Sequence, residues 1–246
     1  MNQDKFHPFL PQPRFLWFLI LSYCMVMVLA NWFDARLIRV FFLNTDAGTL
    51  IFPLTYLLSD LITEIYGYQQ ARRAIWCGFL FNSIFILYAQ IVIHFTSPDY
   101  AVINNNKFDE LLAMNIRIVI ASALSYLCAE PLNSFIMAKL KIYFSGHQLA
   151  LRFVSSTFIA SAVDSGIFGM IAFYGIVDNK NLLLLIVTMW LLKVIIEVIF
   201  LPISLYLTRK LKEIERLDIY DIKTHFTLFS LQVDYTKKDN RYLSRH

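Results

Sequence analysis

The sequence predicts an all-α integral membrane protein, a bundle of six transmembrane helices. Three observations carry that expectation: the composition, the length of the apolar blocks and the placement of the basic residues. Of 246 residues, 58% are hydrophobic and 16% charged, and the mean hydropathy is +0.55. Soluble domains carry about 45–50% apolar and about 25% charged residues. The apolar excess is gathered into blocks at residues 15–33, 74–95, 111–129, 149–174 and 182–207. Each is long enough to cross about 30 Å of hydrocarbon as a helix. Lipid offers no partner for backbone N–H and C=O groups, so a span must be helical or part of a closed barrel. A barrel would show alternating segments of about 10 residues, which this chain lacks.

Taken in order, the first block is too long for a signal peptide. It ends in Asn31, Trp32, Phe33 and Asp34 with no small-residue cleavage site, so it stays as a span. Residues 48–66 carry Pro53, Asp60 and Glu64 but are otherwise apolar or aromatic; counting them as a span gives an even number of crossings. Residues 97–109 form the longest outer loop, where Asn104, Asn105 and Asn106 suit a solvated turn. Pro131 follows the fourth block, so residues 132–144 are expected to leave at a kink as a partly amphipathic helix. In the fifth block Ser161, Ser165 and Gly169 are spaced by four, with Ala162 and Gly166 alongside, a pattern that lets two helix backbones approach closely. After the sixth block, Arg209, Lys210 and Lys212 suit a helix end on an anionic membrane surface. The expected division is an N-terminal segment 1–11, a transmembrane domain 12–208 and a polar, loose tail 209–246. No internal repeat is visible.

The basic residues set the orientation. With both termini cytoplasmic, ten fall inside: Lys5, Arg14, Arg72, Arg73, Lys139, Lys141, Arg152, Arg209, Lys210 and Lys212. Four fall outside: Arg36, Arg39, Lys107 and Lys180. This explains the net charge of +4 without a nucleic-acid partner. Cys24, Cys77 and Cys128 lie in three different spans with no CxxC spacing, and read as small buried residues.

The chemistry lies in ionisable groups inside the spans, which are costly and normally face a bundle interior or an aqueous cavity. Asp60 and Glu64 share one face of the second span, four residues apart. The fourth holds Arg117, Glu130 and Asn133, the fifth Asp164, and the sixth Lys193 and Glu197. Lys193 and Glu197 could pair with each other, Arg117 could neutralise a neighbouring carboxylate, and Glu64 could reach interfacial water. Asp60 and Asp164 lie deeper, flanked by apolar residues. Five carboxylates against two firmly intramembrane cations must protonate or find donors. The count points to a polar solute rich in N–H donors, or a coupling proton, and away from fatty or anionic cargo. No P-loop, HExxH or GxSxG motif is present, and the five histidines are scattered. No enzyme activity, cofactor or metal is expected.

Phe52, Pro53, Leu54, Thr55 and Tyr56, then Ser59, Asp60, Glu64, Tyr66, Gly67, Ala71, Arg72, Arg73, Ile75 and Gly78 resemble the signature of the queuosine precursor transporters, also called the vitamin uptake transporter family. Arg152, Ser155, Ser156, Asp164, Ile167 and Phe168 resemble its fifth helix, Lys193 and Pro202 its sixth. Tyr220, Asp221, Thr224 and Phe226 resemble a tail segment found in many members. The fourth helix of the family often carries an Asp where this chain has Asn133. The resemblance implies a six-helix bundle, similar to energy-coupling-factor substrate-capture subunits, that imports 7-deazaguanine precursors of the tRNA base queuosine. It implies substrate contacts at Asp60, Glu64, Glu130, Asn133 and Asp164, with Arg117 and Lys193 in charge balance or carbonyl contact. Tyr56, Tyr126 and Phe168 could stack the flat ring.

The competing readings are a self-sufficient transporter and a capture subunit that needs separate ATPase and coupling proteins. Capture subunits commonly carry an Ala-x-x-x-Ala patch on the first helix. This first span has none, so no ATPase partner is expected. An intramembrane hydrolase using Asp60 and Asp164 is a third class, disfavoured because no aspartyl-protease motif surrounds either residue. The expected partners are therefore a small deazaguanine-like solute and the lipid bilayer of the cytoplasmic membrane, with a monomer or a homo-oligomer left open.

Overall fold

The computed structural model describes residues 12–34, 36–40, 43–113 and 116–242. The expected N-terminal segment 1–11 with Lys5, residues 114–115 of the expected fourth span and residues 243–246 of the tail lie outside the described residues.

Among the described residues, six helices are long and apolar enough to cross a membrane, and the least hydropathic of them is Gly48–Tyr66. The order is α1 (Leu16–Phe33), a hairpin of β1 (Leu37–Val40) and β2 (Leu43–Asp46), a 3-10 turn (Gly48–Leu50), and α2 (Pro53–Tyr66). There follow α3 (Tyr68–Val92), α4 (Val102–Leu112), α5 (Ile116–Tyr143), α6 (Leu149–Phe173) and α7 (Asn179–Glu215). The hairpin pairs antiparallel with Leu37 opposite Asp46. It marks one end of the bundle; the C-terminal tail marks the other.

Burial explains why α2 is the least hydropathic span. Within the Gly48–Tyr66 window 78% of residues are buried, against 22% in α3. Helix α2 is the central post, touching α1, α3, α5, α6 and α7, so its polar groups are solvated by protein. The outer helices spend their apolar faces on lipid instead. Pro53 stands at the first turn of α2, where its missing N–H costs nothing. Gly67, at φ +86°, ends α2 and turns the chain directly into α3. Asp178 caps α7 by accepting from the backbone N–H of Asn181 at 3.2 Å.

Two local expectations are corrected. Helix α5 runs unbroken for 28 residues with Pro131 inside it, so residues 132–143 do not leave as a separate amphipathic helix. Their inner face, Asn133, Ser134, Met137, Ala138 and Lys141, is buried, and packing of α5 against α2 and α6 outweighs the one hydrogen bond the proline forgoes. The asparagine run 104–106 lies within helix α4 and not in a turn.

The tail, expected to be loose, is stitched to the bundle. The first N–H groups of α3 are orphaned because Gly67 follows α2 immediately, and the tail supplies their acceptors. Asp221 Oδ2 accepts from Tyr68 N at 3.0 Å and Tyr235 Oη from Gln69 N at 2.9 Å. Arg72 donates to the carbonyls of Thr227 and Gln232 at 2.7 and 2.8 Å. Trp76 Nε1 donates to Leu228 O at 2.8 Å. Burial and the nearby Asp221 charge push the Tyr235 phenol upward, keeping it a donor. Glu215, at the end of α7, accepts from the backbone N–H of Arg14 and Phe15, which places the start of α1 and the end of α7 at the same end of the molecule.

Candidate functional site

The buried face of α7 repeats at helical spacing as Lys193, Glu197, Ser204, Thr208 and Glu215, with the half-buried Lys212 alongside. That of α6 runs through Arg152, Ser156, Thr157, Ser161, Asp164, Ser165 and Phe168. With Asp60 and Glu64 of α2 and Glu130 and Asn133 of α5, these faces form a polar seam from one end of the bundle to the other. Three tiers can be separated along it.

At the hairpin end, Lys193 donates to Asp164 Oδ2 in a buried ion pair, and its ammonium lies 4.7 Å from the centre of the Phe52 ring. Lys193 thus pairs across helices and not with Glu197. Asp46 accepts from Thr49 N and Thr49 Oγ1, both at 2.6 Å. Asp34 and Asp46 line a narrow cavity with Phe52, Asp164, Phe168, Met189 and Lys193. Burial pushes the Asp34 carboxyl well above the usual carboxylate range, and the Asp46 charge adds to the effect.

In the middle tier the only hydrogen bond among the side chains of Asp60, Glu130, Asn133 and Glu197 runs from Asn133 Nδ2 to Asp60 Oδ1 at 2.7 Å, among the described residues. The second oxygen of Asp60, both oxygens of Glu130 and Glu197, the amide oxygen of Asn133 and the hydroxyls of Tyr56, Thr157, Ser161 and Ser165 are buried with no hydrogen-bond partner. The hydroxyls nearest Glu130, those of Thr55, Tyr23 and Ser59, each have another partner within hydrogen-bond distance. Thr55 donates to Phe52 O at 2.7 Å. Tyr126 donates its one proton to Ile75 O at 2.7 Å, so Tyr23, 2.8 Å from it, must donate to Tyr126. Buried polar atoms are rarely left unpaired in this number; here six are carboxyl or amide oxygens that accept, and four are hydroxyls that can also donate.

At the tail end the balance reverses. Glu64 receives Arg152 Nη1 at 2.5 Å, Arg152 Nη2 at 3.1 Å and Lys212 Nζ at 2.5 Å. Lys141 stands 3.8 Å from the same carboxylate and donates to the carbonyls of Glu64 and Ile219 at 2.5 and 2.7 Å. Asp218 from the tail closes the cluster, 2.7 Å from Lys141 and 2.6 Å from Lys212. Burial works to raise the Asp218 carboxyl, but the two lysines outweigh it and hold the group below the usual range.

Asp60, Glu130, Asn133, Asp164 and Lys193 therefore come to the seam above the tail-end cluster. Glu64 lies within that cluster with both oxygens engaged. Arg117 stands apart: it donates to the carbonyls of Ile171 and Tyr174, capping the end of α6. Six charged groups of the seam were not among the expected site residues. Lys141 and Lys212 counted only towards the inside charge bias, Arg152 towards that bias and the fifth-helix resemblance, and Asp34, Asp46 and Asp218 sit just beyond span ends, where hydropathy marks nothing unusual. Ser161 and Ser165 belong to the small-residue stripe; of its two glycines, a Cβ at Gly169 would collide with Ile186, whereas one at Gly166 would meet nothing within 4 Å.

The seam can bind and pass a polar solute; it has no nucleophile–base pair, and no group of three His, Cys, Asp or Glu that could hold a metal exists among the described residues. Known proteins agree with a transport role. The family described as "Putative vitamin uptake transporter" matches residues 46–207. A protein of Bacillus subtilis (strain 168), named "Probable queuosine precursor transporter", is 25% identical over 187 residues, covering 75% of this chain and 80% of its own. A protein of the same name from Haemophilus influenzae (strain ATCC 51907 / DSM 11121 / KW20 / Rd) is 29% identical over 141 residues, 56% of each chain. No solved structure matches. Six membrane-spanning helices around a polar seam, and a family match over most of the chain, lead to one conclusion: this multi-pass membrane protein belongs to the vitamin uptake transporter family.

Proposed function

We propose that this transporter imports the queuosine precursors 7-cyano-7-deazaguanine and 7-aminomethyl-7-deazaguanine across the cytoplasmic membrane, with both termini cytoplasmic and without an ATPase partner. The observation that carries the reading is the middle tier, where acceptors of Asp60, Glu130 and Asn133 are buried without donors. A deazaguanine ring brings the missing donors. Its adjacent ring N–H and amino group can meet both oxygens of one carboxylate, and an Asn amide can pair a carbonyl with a neighbouring N–H. A flat ring can also stack on Tyr56, which is buried among these groups. The names of the two relatives point to the same solute class, and the ten-to-four basic bias supports the orientation. Asp164 holds Lys193 in place, and Glu64 organises the tail-end seal.

The test is queuosine in tRNA from cells unable to make deazaguanines, supplied with each precursor at low concentration. Expression of this chain is expected to restore the modified base in the absence of energy-coupling-factor proteins. Asp60→Asn and Asp164→Asn are expected to abolish restoration while the protein still reaches the membrane. Restoration only when coupling proteins are added would identify a capture subunit.

A further inference from the structure

Lys193 and Glu197 are one turn apart on α7, within reach of a mutual ion pair, yet Lys193 is committed to Asp164 on α6. Glu197 is left 1% exposed with neither oxygen hydrogen-bonded. The charged and titratable groups on the packed helices give it nothing. On α2, Tyr56 and Asp60 are phenol and carboxyl, and Glu64 is saturated by cations. On α5, Glu130 is another undonated carboxyl, and Lys141 donates to tail-end carbonyls and to Asp218. On α6, Arg152 is spent on Glu64 and on main-chain carbonyls. On α7 itself, Lys212 is held by Glu64 and Asp218. Asp46 of β2 is satisfied by Thr49. Every cation of the seam is thus drawn to one end or the other, and the middle holds three carboxyl groups with one amide donor among them. A carboxylate buried without a partner takes up a proton in preference to staying charged.

We infer that Glu197 is a proton-binding site that couples solute movement to the proton gradient, making this protein a solute–proton symporter. The inference rests on the transport reading above. Its proton balance is simple: with the seam open at the hairpin end, water delivers one proton to the Glu197 carboxylate. With both ends sealed the carboxyl stays neutral, the protonated seam opens at the tail end only with solute aboard, and the emptied seam returns to the hairpin side with Glu197 charged and in contact with water. When the Glu64–Arg152–Lys212 cluster parts, the proton leaves to water on that side with the solute. Bound solute supplies donors to Asp60 and Asn133, whereas Glu197 depends on the proton.

Two measurements on the full chain in lipid vesicles test this. Infrared spectra in deuterated and ordinary buffer at neutral pH, without solute, are expected to show a protonated carboxyl band that weakens in Glu197→Gln. Identical spectra from both proteins would overturn the proton site. In the second, vesicles are offered 7-aminomethyl-7-deazaguanine with and without an acid-outside gradient. The wild type is expected to accumulate at least about tenfold more with the gradient, a factor worth about 1.4 kcal/mol. Glu197→Gln is expected to show a ratio near one, and Glu197→Asp to keep part of the response, which separates loss of coupling from loss of fold. A gradient-independent wild type, or a Glu197→Gln protein that still responds, would overturn symport. If the infrared band behaves as expected but neither deazaguanine enters, the solute assignment fails and the proton site stands.

Discussion

Asp218 shows how a residue outside the membrane governs charges inside it. Its carboxylate bridges Lys141 and Lys212, both of which also meet Glu64, so two carboxylates share three cations counting Arg152. Because the lysines hold Asp218 below its ordinary range, its contribution to stability is complete above the unfolded value of about 3.9. That contribution is lost as pH falls through the lower folded value. The thermal midpoint in detergent is accordingly expected to drop on acidification below about pH 4. Asp218→Asn should start lower at neutral pH and show a flatter acid limb; equal slopes for the two proteins would count against the linkage.

Among the elements, the α2–α3 junction bears the most constraint. Gly67 adopts φ +86°, and a Cβ there would stand 2.4 Å from Tyr235 Oη and 2.9 Å from Ile219 Cγ2. Gly67→Ala therefore meets both backbone strain, worth about 1–3 kcal/mol, and a collision with the docked tail. The expected result is faster proteolysis within residues 217–242, with the six spans intact. Gly166→Ala, where a Cβ has nothing within 4 Å, should leave the cleavage rate unchanged. This junction also explains what hydropathy could and could not deliver. The six spans were legible because lipid exposure demands long apolar stretches, and even α2 kept enough apolar residues to be counted. The continuity of α5 through Pro131 was not legible, since it depends on what packs against Asn133 and Lys141.

For the whole molecule, tail and bundle form one body. A chain ending at Arg216 would leave Arg72 and Trp76 without their carbonyl acceptors and strip Asp218 from the lysine pair. Such a truncation is expected to lower the thermal midpoint, to open tryptic cleavage at Arg72 and Arg73, and to abolish uptake. Full stability and uptake would show the tail to be dispensable. None of this docking was visible in sequence, because most of the tail's acceptors are main-chain carbonyls, which every residue possesses. The middle tier was more legible. Asp60, Glu130, Asn133 and Glu197 stood out as polar groups in apolar runs, whereas the carbonyl partners of Arg117 could not be read from sequence, because a guanidinium serves helix-end carbonyls as readily as carboxylates.

The position of Asp218 near the C-terminal end has a consequence for biogenesis. Ribosomes add about 5–20 residues per second, and residues 217–242 emerge after α7 has been made. Until then α3 presents bare N–H groups, and Arg72 and the Lys141–Lys212 pair lack their last partners. The newly inserted helices thus pass through a stage in which Glu64 alone faces the three cations of the tail-end cluster. Membrane quality-control proteases that recognise unpaired polar groups would meet the chain at that stage, and synthesis of residues 217–242 would end their opportunity.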